Sequence, residues 1–208
     1  MATPMTARTV LRLLRAEGLT VREVGNWAHH NRDQQGIFGP VHGVMLHHTA
    51  TRGTARTVRL CYDGRDDLPG PLCHGVIDKT GVVHLVGWGR ANHAGLGDPA
   101  VLRAVIGQHR LPLDTHASYD GNRHFYGFEC VNLGTGKDPW PPRQVQAMAR
   151  ACAAVLRWHG WNERSVIGHL EWQPGKPDPR GVCMDAVRAA VRQRLHPATP
   201  SHASQAAG

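Results

Sequence analysis

Val166-Ile167-Gly168-His169-Leu170-Glu171-Trp172-Gln173-Pro174-Gly175-Lys176-Pro177-Asp178-Pro179 decides how this chain is read, together with Val44-Met45-Leu46-His47-His48-Thr49-Ala50 far upstream. Each stretch carries an imidazole at the end of a short apolar run, the place where a buried strand leaves an open sheet and where active sites gather. The later stretch then turns back through Pro174 and Gly175 to present an ammonium, Lys176, and a carboxylate, Asp178. Prolines on both sides of Asp178 restrict its backbone and help hold the carboxylate in place. Two neutral imidazoles and one carboxylate are what a catalytic zinc site needs: three protein ligands, with the fourth position left to water. Alternation along a strand puts His47 on one face with Met45 and Thr49, and His48 on the other with Leu46, so only one of the two can easily reach a given metal. Glu171 is a rival carboxylate, but two residues after His169 it is expected to face away.

Outward from these segments the chain alternates between the two regular periods. Thr6 opens a short amphipathic helix carrying Val10, Leu11, Leu13 and Leu14 and ending at Gly18. Residues 21–40 lack periodicity and read as a lead-in loop. Residues 41–48 read as a buried strand, 54–62 as a helix and 63–72 as a surface loop. Strands over 74–79 and 82–86 are joined by a turn at Lys79-Thr80-Gly81. A helix is expected over 98–109 and a strand over 125–133. Pro141-Pro142 opens the clearest helix, with Val145, Met148, Ala149, Cys152, Val155 and Leu156 at 3–4 spacing and Gly160 at the C-cap position. A short strand over 166–168 and a helix over 183–195 follow. The tail over 196–208 is rich in Pro, Ala, Ser and Thr and reads as flexible. Strands interleaved with helices indicate an α/β (α+β) fold, a central mixed β-sheet flanked by helices.

Composition bounds the function. The 208 residues suffice for one domain with a proper core. Lys and Arg outnumber Asp and Glu to give a formal charge of +8, which favours a polyanionic partner. No nucleic-acid recognition module is present and nucleic acid is not expected; anionic cell-wall polymer is the other candidate, and charge alone does not choose between the two. The five Cys form no CxxC pair and no even framework, which argues against a disulfide scaffold, although Cys61 and Cys73 could bridge a loop in an oxidising setting. The N-terminus has no signal-peptide pattern and no apolar run approaches membrane-spanning length, so a product made in the cytoplasm, without membrane insertion, is expected. There is neither a GxSxG elbow nor an HExxH helix, which disfavours a serine hydrolase and a helix-borne zinc protease.

Glu129 lies in Phe125-Tyr126-Gly127-Phe128-Glu129-Cys130-Val131-Asn132, where alternation groups it with Phe125, Gly127 and Val131. A carboxylate on so apolar a face is costly unless it is paired or catalytic.

Taken together, the two histidine-bearing segments resemble the zinc N-acetylmuramoyl-L-alanine amidases, whose fold is shared by phage lysozymes and peptidoglycan recognition proteins. Gly127-Phe128-Glu129 matches that family's G-[IF]-E strand. Ala91-Asn92-His93-Ala94-Gly95 resembles its WHAG stretch, with Asn92 in place of the usual aromatic. Leu72-Cys73-His74 followed by Gly75-Val76-Ile77 resembles Y-H-F-x-I, with Cys73 where many relatives carry a Tyr. The resemblance spans residues 38–195 as a catalytic domain, leaving 1–37 as an N-terminal helix and lead-in. It implies a Zn2+ held by His47, His169 and Asp178, Glu129 as general base, Lys176 stabilising the oxyanion, and His93 and Cys73 in the substrate groove. The implied reaction is cleavage of the amide between the lactyl group of N-acetylmuramic acid and L-alanine in bacterial peptidoglycan. The chain would be a monomeric endolysin reaching the wall after release from the cytoplasm. The other readings are a cytoplasmic muropeptide-recycling amidase, a non-catalytic peptidoglycan-binding module, and a thiol amidase using Cys73 or Cys130.

Overall fold

The computed structural model describes residues 2–197. Helix α1 (Ala7–Ala16) is capped by the Thr6 hydroxyl, which accepts from the Thr9 amide, and buries Val10 and Leu14. Strands β1 (Val21–Glu23) and β2 (Gly43–His48) follow, then α2 (Thr54–Asp63), the two-residue hairpin β3 (Gly64–Arg65) and β4 (Leu68–Pro69), and β5 (Gly75–Ile77) and β6 (Val83–Leu85). The chain continues through β7 (Leu96–Gly97), α3 (Pro99–Ile106), β8 (Tyr119–Asp120), β9 (Phe125–Cys130), α4 (Pro142–His159), β10 (Val166–Gly168) and α5 (Met184–Leu195).

Six strands form the central sheet in the order β1-β6-β5-β9-β2-β10. The β5–β6 pair is antiparallel and the other four pairings are parallel, so the sheet is mixed as expected. Its middle strands are buried on both faces, which is why β2 and β9 read as near-continuous apolar runs. One face carries Val44, Leu46, Tyr126, Phe128 and Val166 against α1, α4 and α5. On the other face Met45, Phe125 and Ile167 pack against α3 and Trp172, while Val76 packs with Val58 and Cys61 of α2. Between α2 and α3 this second face is left open near the C-terminal ends of β2 and β9.

Helix α4 follows its sequence signals closely. A proline lies in its first turn, a continuous buried stripe runs from Ala147 to Leu156, and Gly160 ends it in the left-handed conformation at φ 68°.

The structure departs from the expected elements in two places. Val21–Glu23, assigned to a loop, is the edge strand, pairing Val21, Arg22 and Glu23 with Val83, His84 and Leu85. The loop over 63–72 contains the β3–β4 hairpin. Of the tail expected to be flexible, residues 198–208 lie outside the described residues. Among the described residues no helix is long and apolar enough to cross a membrane.

Candidate active site

Strand register assembles the site. His47 on β2 pairs with Glu129 on β9, and side chains at paired positions of parallel strands share a face. Ile167 of β10 pairs with Met45, so the next strand ends alongside and delivers His169 in a short 3-10 turn, His169–Glu171. The loop that follows is closed by the Leu170 amide donating to the Asp178 carbonyl at 2.7 Å, which brings Asp178 back to His169. Glu171 does face away: it accepts the Gly168 amide and pairs with Arg188.

The result is a triangle of donor atoms. His47 Nδ1 lies 3.1 Å from His169 Nδ1 and 3.0 Å from Asp178 Oδ2, and His169 Nδ1 lies 3.1 Å from the same oxygen. The three residues are 1%, 5% and 9% exposed. Burial pushes the His47 imidazole down to about 4, so the neutral ring, with a free lone pair, prevails at neutral pH. Burial alone would raise the Asp178 carboxyl, but hydrogen bonds with His169 and His47 hold it well below the usual carboxylate range. Each imidazole turns its far nitrogen to a partner: His47 Nε2 is 3.1 Å from His93 Nδ1, and His169 Nε2 is 3.3 Å from Gln173 Oε1. Two imidazole nitrogens and a carboxylate oxygen converging from one side become a cation-binding donor set once both nitrogens present a lone pair. Zn–N and Zn–O bonds of about 2.0–2.1 Å in a tetrahedral arrangement separate ligand atoms by about 3.3 Å, close to the spacing found. The residues fit the metal.

Glu129 lines the same pocket as this triangle, partly buried, with Oε2 lacking a hydrogen-bond partner among the described residues. Burial, then the neighbouring Cys61 and Asp178, push its carboxyl well above the usual range, and Lys176 opposes them. Lys176 is exposed on the rim and lines the same pocket as His47, Glu129, His169 and Asp178. His93 also lines it, but both ring nitrogens are engaged within the protein, Nδ1 with His47 and Nε2 with the Phe125 carbonyl at 3.0 Å. His48 lies outside the donor triangle, as alternation requires, and accepts the Arg180 amide through Nδ1 at 3.0 Å.

Cys73 is not brought to the groove. It is fully buried behind Cys61, which does line the pocket, and burial pushes its thiol well above the usual range. Asn122 and Gln173 were not anticipated. The Asn122 carbonyl oxygen accepts the successive amides of His93, Ala94 and Gly95 at 2.9, 2.8 and 3.3 Å, and so fixes the loop bearing His93. Neither residue carries a local sequence signal, because both act on partners distant in the chain or through a side-chain amide that any loop might contain.

Comparisons with known proteins agree with this geometry. A family model described as N-acetylmuramoyl-L-alanine amidase matches residues 38–181. A comparison with curated proteins finds no sequence match. Among solved structures, an N-acetylmuramoyl-L-alanine amidase endolysin from Clostridium intestinale superposes with a TM-score of 0.55 at 13% identity, covering 82% of this chain and 93% of that one. A mutant endolysin from Bacillus subtilis gives 0.56 at 18% identity, covering 83% and 99%. The Drosophila peptidoglycan recognition protein SA gives 0.51 at 14% identity, covering 82% and 91%. At such identities the structural likeness establishes the fold, whereas the family match extends over more than half of the chain and includes every residue of the donor triangle. The chain therefore belongs to the N-acetylmuramoyl-L-alanine amidase family, and peptidoglycan is its substrate.

Proposed function

We propose that this chain is a zinc-dependent, endolysin-type amidase whose ion is held by His47, His169 and Asp178. The donor triangle carries the reading, since two imidazole nitrogens and a carboxylate oxygen converge on one point as the ligands of a cation would. Zinc bound there would polarise the scissile carbonyl and lower the pKa of the attacking water toward neutrality. Glu129, with an unpartnered oxygen on the pocket floor, takes the proton from that water and delivers it to the leaving amide nitrogen. The products are a lactyl carboxylate on the glycan and a free L-alanine amine on the peptide. Lys176 on the rim stabilises negative charge developing on the carbonyl oxygen. Cell lysis as the role is supported by the endolysins among the structural relatives, and a monomer acting on the wall suits a cleft formed wholly within one chain.

Mass spectrometry of peptidoglycan digested by the zinc-loaded protein tests this reading. Free stem peptides beginning with alanine and glycans with intact lactyl carboxylates are expected. Glu129→Ala should retain zinc while slowing the reaction by about 10²–10⁴, and Lys176→Ala should slow it by about 10²–10³. Cleaved sugar linkages or cut stems would refute the reaction, and near-normal turnover in Glu129→Ala would move the base elsewhere.

A further inference from the structure

We propose that His93 is a positioning residue: it holds His47 in the tautomer protonated at Nε2, so that the bare Nδ1 faces the metal position. The proposal rests on the zinc reading above and replaces the expected role of His93 as a substrate contact. A carbonyl oxygen only accepts, so the 3.0 Å contact between His93 Nε2 and the Phe125 carbonyl places a proton on Nε2. The neutral His93 ring then has only a lone pair at Nδ1. His47 Nε2, 3.1 Å away, must supply the proton of that contact, which leaves His47 Nδ1 bare.

The alternative tautomer has its own attraction. A proton on His47 Nδ1 would be donated to Asp178 Oδ2 at 3.0 Å, occupying the two lone pairs a metal needs. Among the described residues His93 is the one hydrogen-bond partner of His47 Nε2, so it is the contact that opposes that arrangement. His93 has no ring nitrogen left for a substrate, and its side chain is buried.

The surrounding structure holds the His93 ring in register. A Cβ at Gly127 would fall 2.5 Å from His93 Nδ1, so only glycine lets the ring lie against β9. The Gly127 amide in turn donates to His74 Nδ1 at 2.9 Å, and His74 Nε2 donates to the Gly89 carbonyl at 2.8 Å. Asn122 fixes the His93 backbone from the other side. This arrangement gives the glycine of the Gly127-Phe128-Glu129 strand a specific function: it makes room for the residue that orients the neighbouring ligand.

Zinc affinity measured by competition with a chromophoric chelator tests the proposal in the wild type and in His93→Ala, His93→Phe and His93→Gln. The Gln amide carries an acceptor and a donor in one plane, as the imidazole does, whereas Phe keeps the volume without either. Ala and Phe should weaken zinc binding by roughly 10–100-fold, with Gln recovering most of the loss and metal-free thermal melts showing all variants folded. Histidine ¹⁵N NMR of the metal-free wild type should find the His47 proton on Nε2, and His93→Phe should move it toward Nδ1. Unchanged zinc affinity in the Ala and Phe variants with a raised KM would overturn the proposal and restore His93 as a substrate contact. A wild-type His47 protonated at Nδ1 would overturn it even if the variants fail to fold. A wild type that binds no zinc would instead refute the zinc reading, and the His47 tautomer would still decide the role of His93.

Discussion

His47 and His169 present the same nitrogen, Nδ1, to the donor triangle and commit the other to a hydrogen bond, one to a ring and one to an amide. Outer partners of this kind set ring orientation and ligand basicity. The three residues of the donor triangle stand out in the sequence because each histidine follows an apolar run and Asp178 sits between prolines close to His169. Their partners do not. The Asn122 amide acts on a loop nearly thirty residues away, and the ring of His93 acts on a different strand. Cys73 shows the opposite error: a position matched by motif places the residue in the chain but does not expose it. With its sulfur enclosed behind Cys61 and its thiol pushed up by burial, it is a poor nucleophile and contributes packing beneath the groove.

At the scale of elements, the long helix α4 and the buried strands β2 and β9 were legible because their periodicity extends over many residues. Strand β1 was not, because its three residues include a single apolar side chain and it is held through backbone pairing to β6. The turn between β5 and β6 was read as Lys79-Thr80-Gly81, but the residue that organises it is Asp78. Its Oδ1 accepts from the Thr80 amide at 2.8 Å, the Thr80 hydroxyl at 2.6 Å and the Val82 amide at 3.1 Å, while Oδ2 meets His84 Nε2 at 3.0 Å. Burial would raise this carboxyl, yet the bonds from Thr80, His84 and Val82 keep it below its ordinary value. A lowered carboxyl contributes stability that is fully present above its unfolded value of about 3.9 and is lost as pH falls through the folded value. Asp78→Ala should cost about 1–3 kcal/mol at neutral pH. In urea unfolding the gap between variant and wild type should narrow as pH falls below about 4. A gap that stays constant from pH 7 into the acid range would show that the carboxylate is not the source of the loss.

At the scale of the molecule, the sheet separates two surfaces. The cleft opens on one face, while α1, α4 and α5 cover the other and expose Arg8, Arg12, Arg15, Arg143, Arg157 and Arg192. Three of these, Arg15, Arg157 and Arg192, are paired with Glu23, Glu17 and Glu163, so the formal charge of +8 belongs to the surface as a whole, which favours a polyanionic partner. Attraction between exposed charges is screened within about 8–10 Å at physiological salt. Lysis of whole walls should fall as salt rises while cleavage of small soluble muropeptides changes little, and an equal response of both would deny the basic surface a targeting role. The proposed activity depends on one metal centre per chain. Elemental analysis of zinc-loaded, desalted protein tests that centre most directly. The wild type and His48→Ala should retain close to one zinc per chain, and His169→Ala should retain almost none. Full zinc content in His169→Ala would contradict the assignment of the ligands.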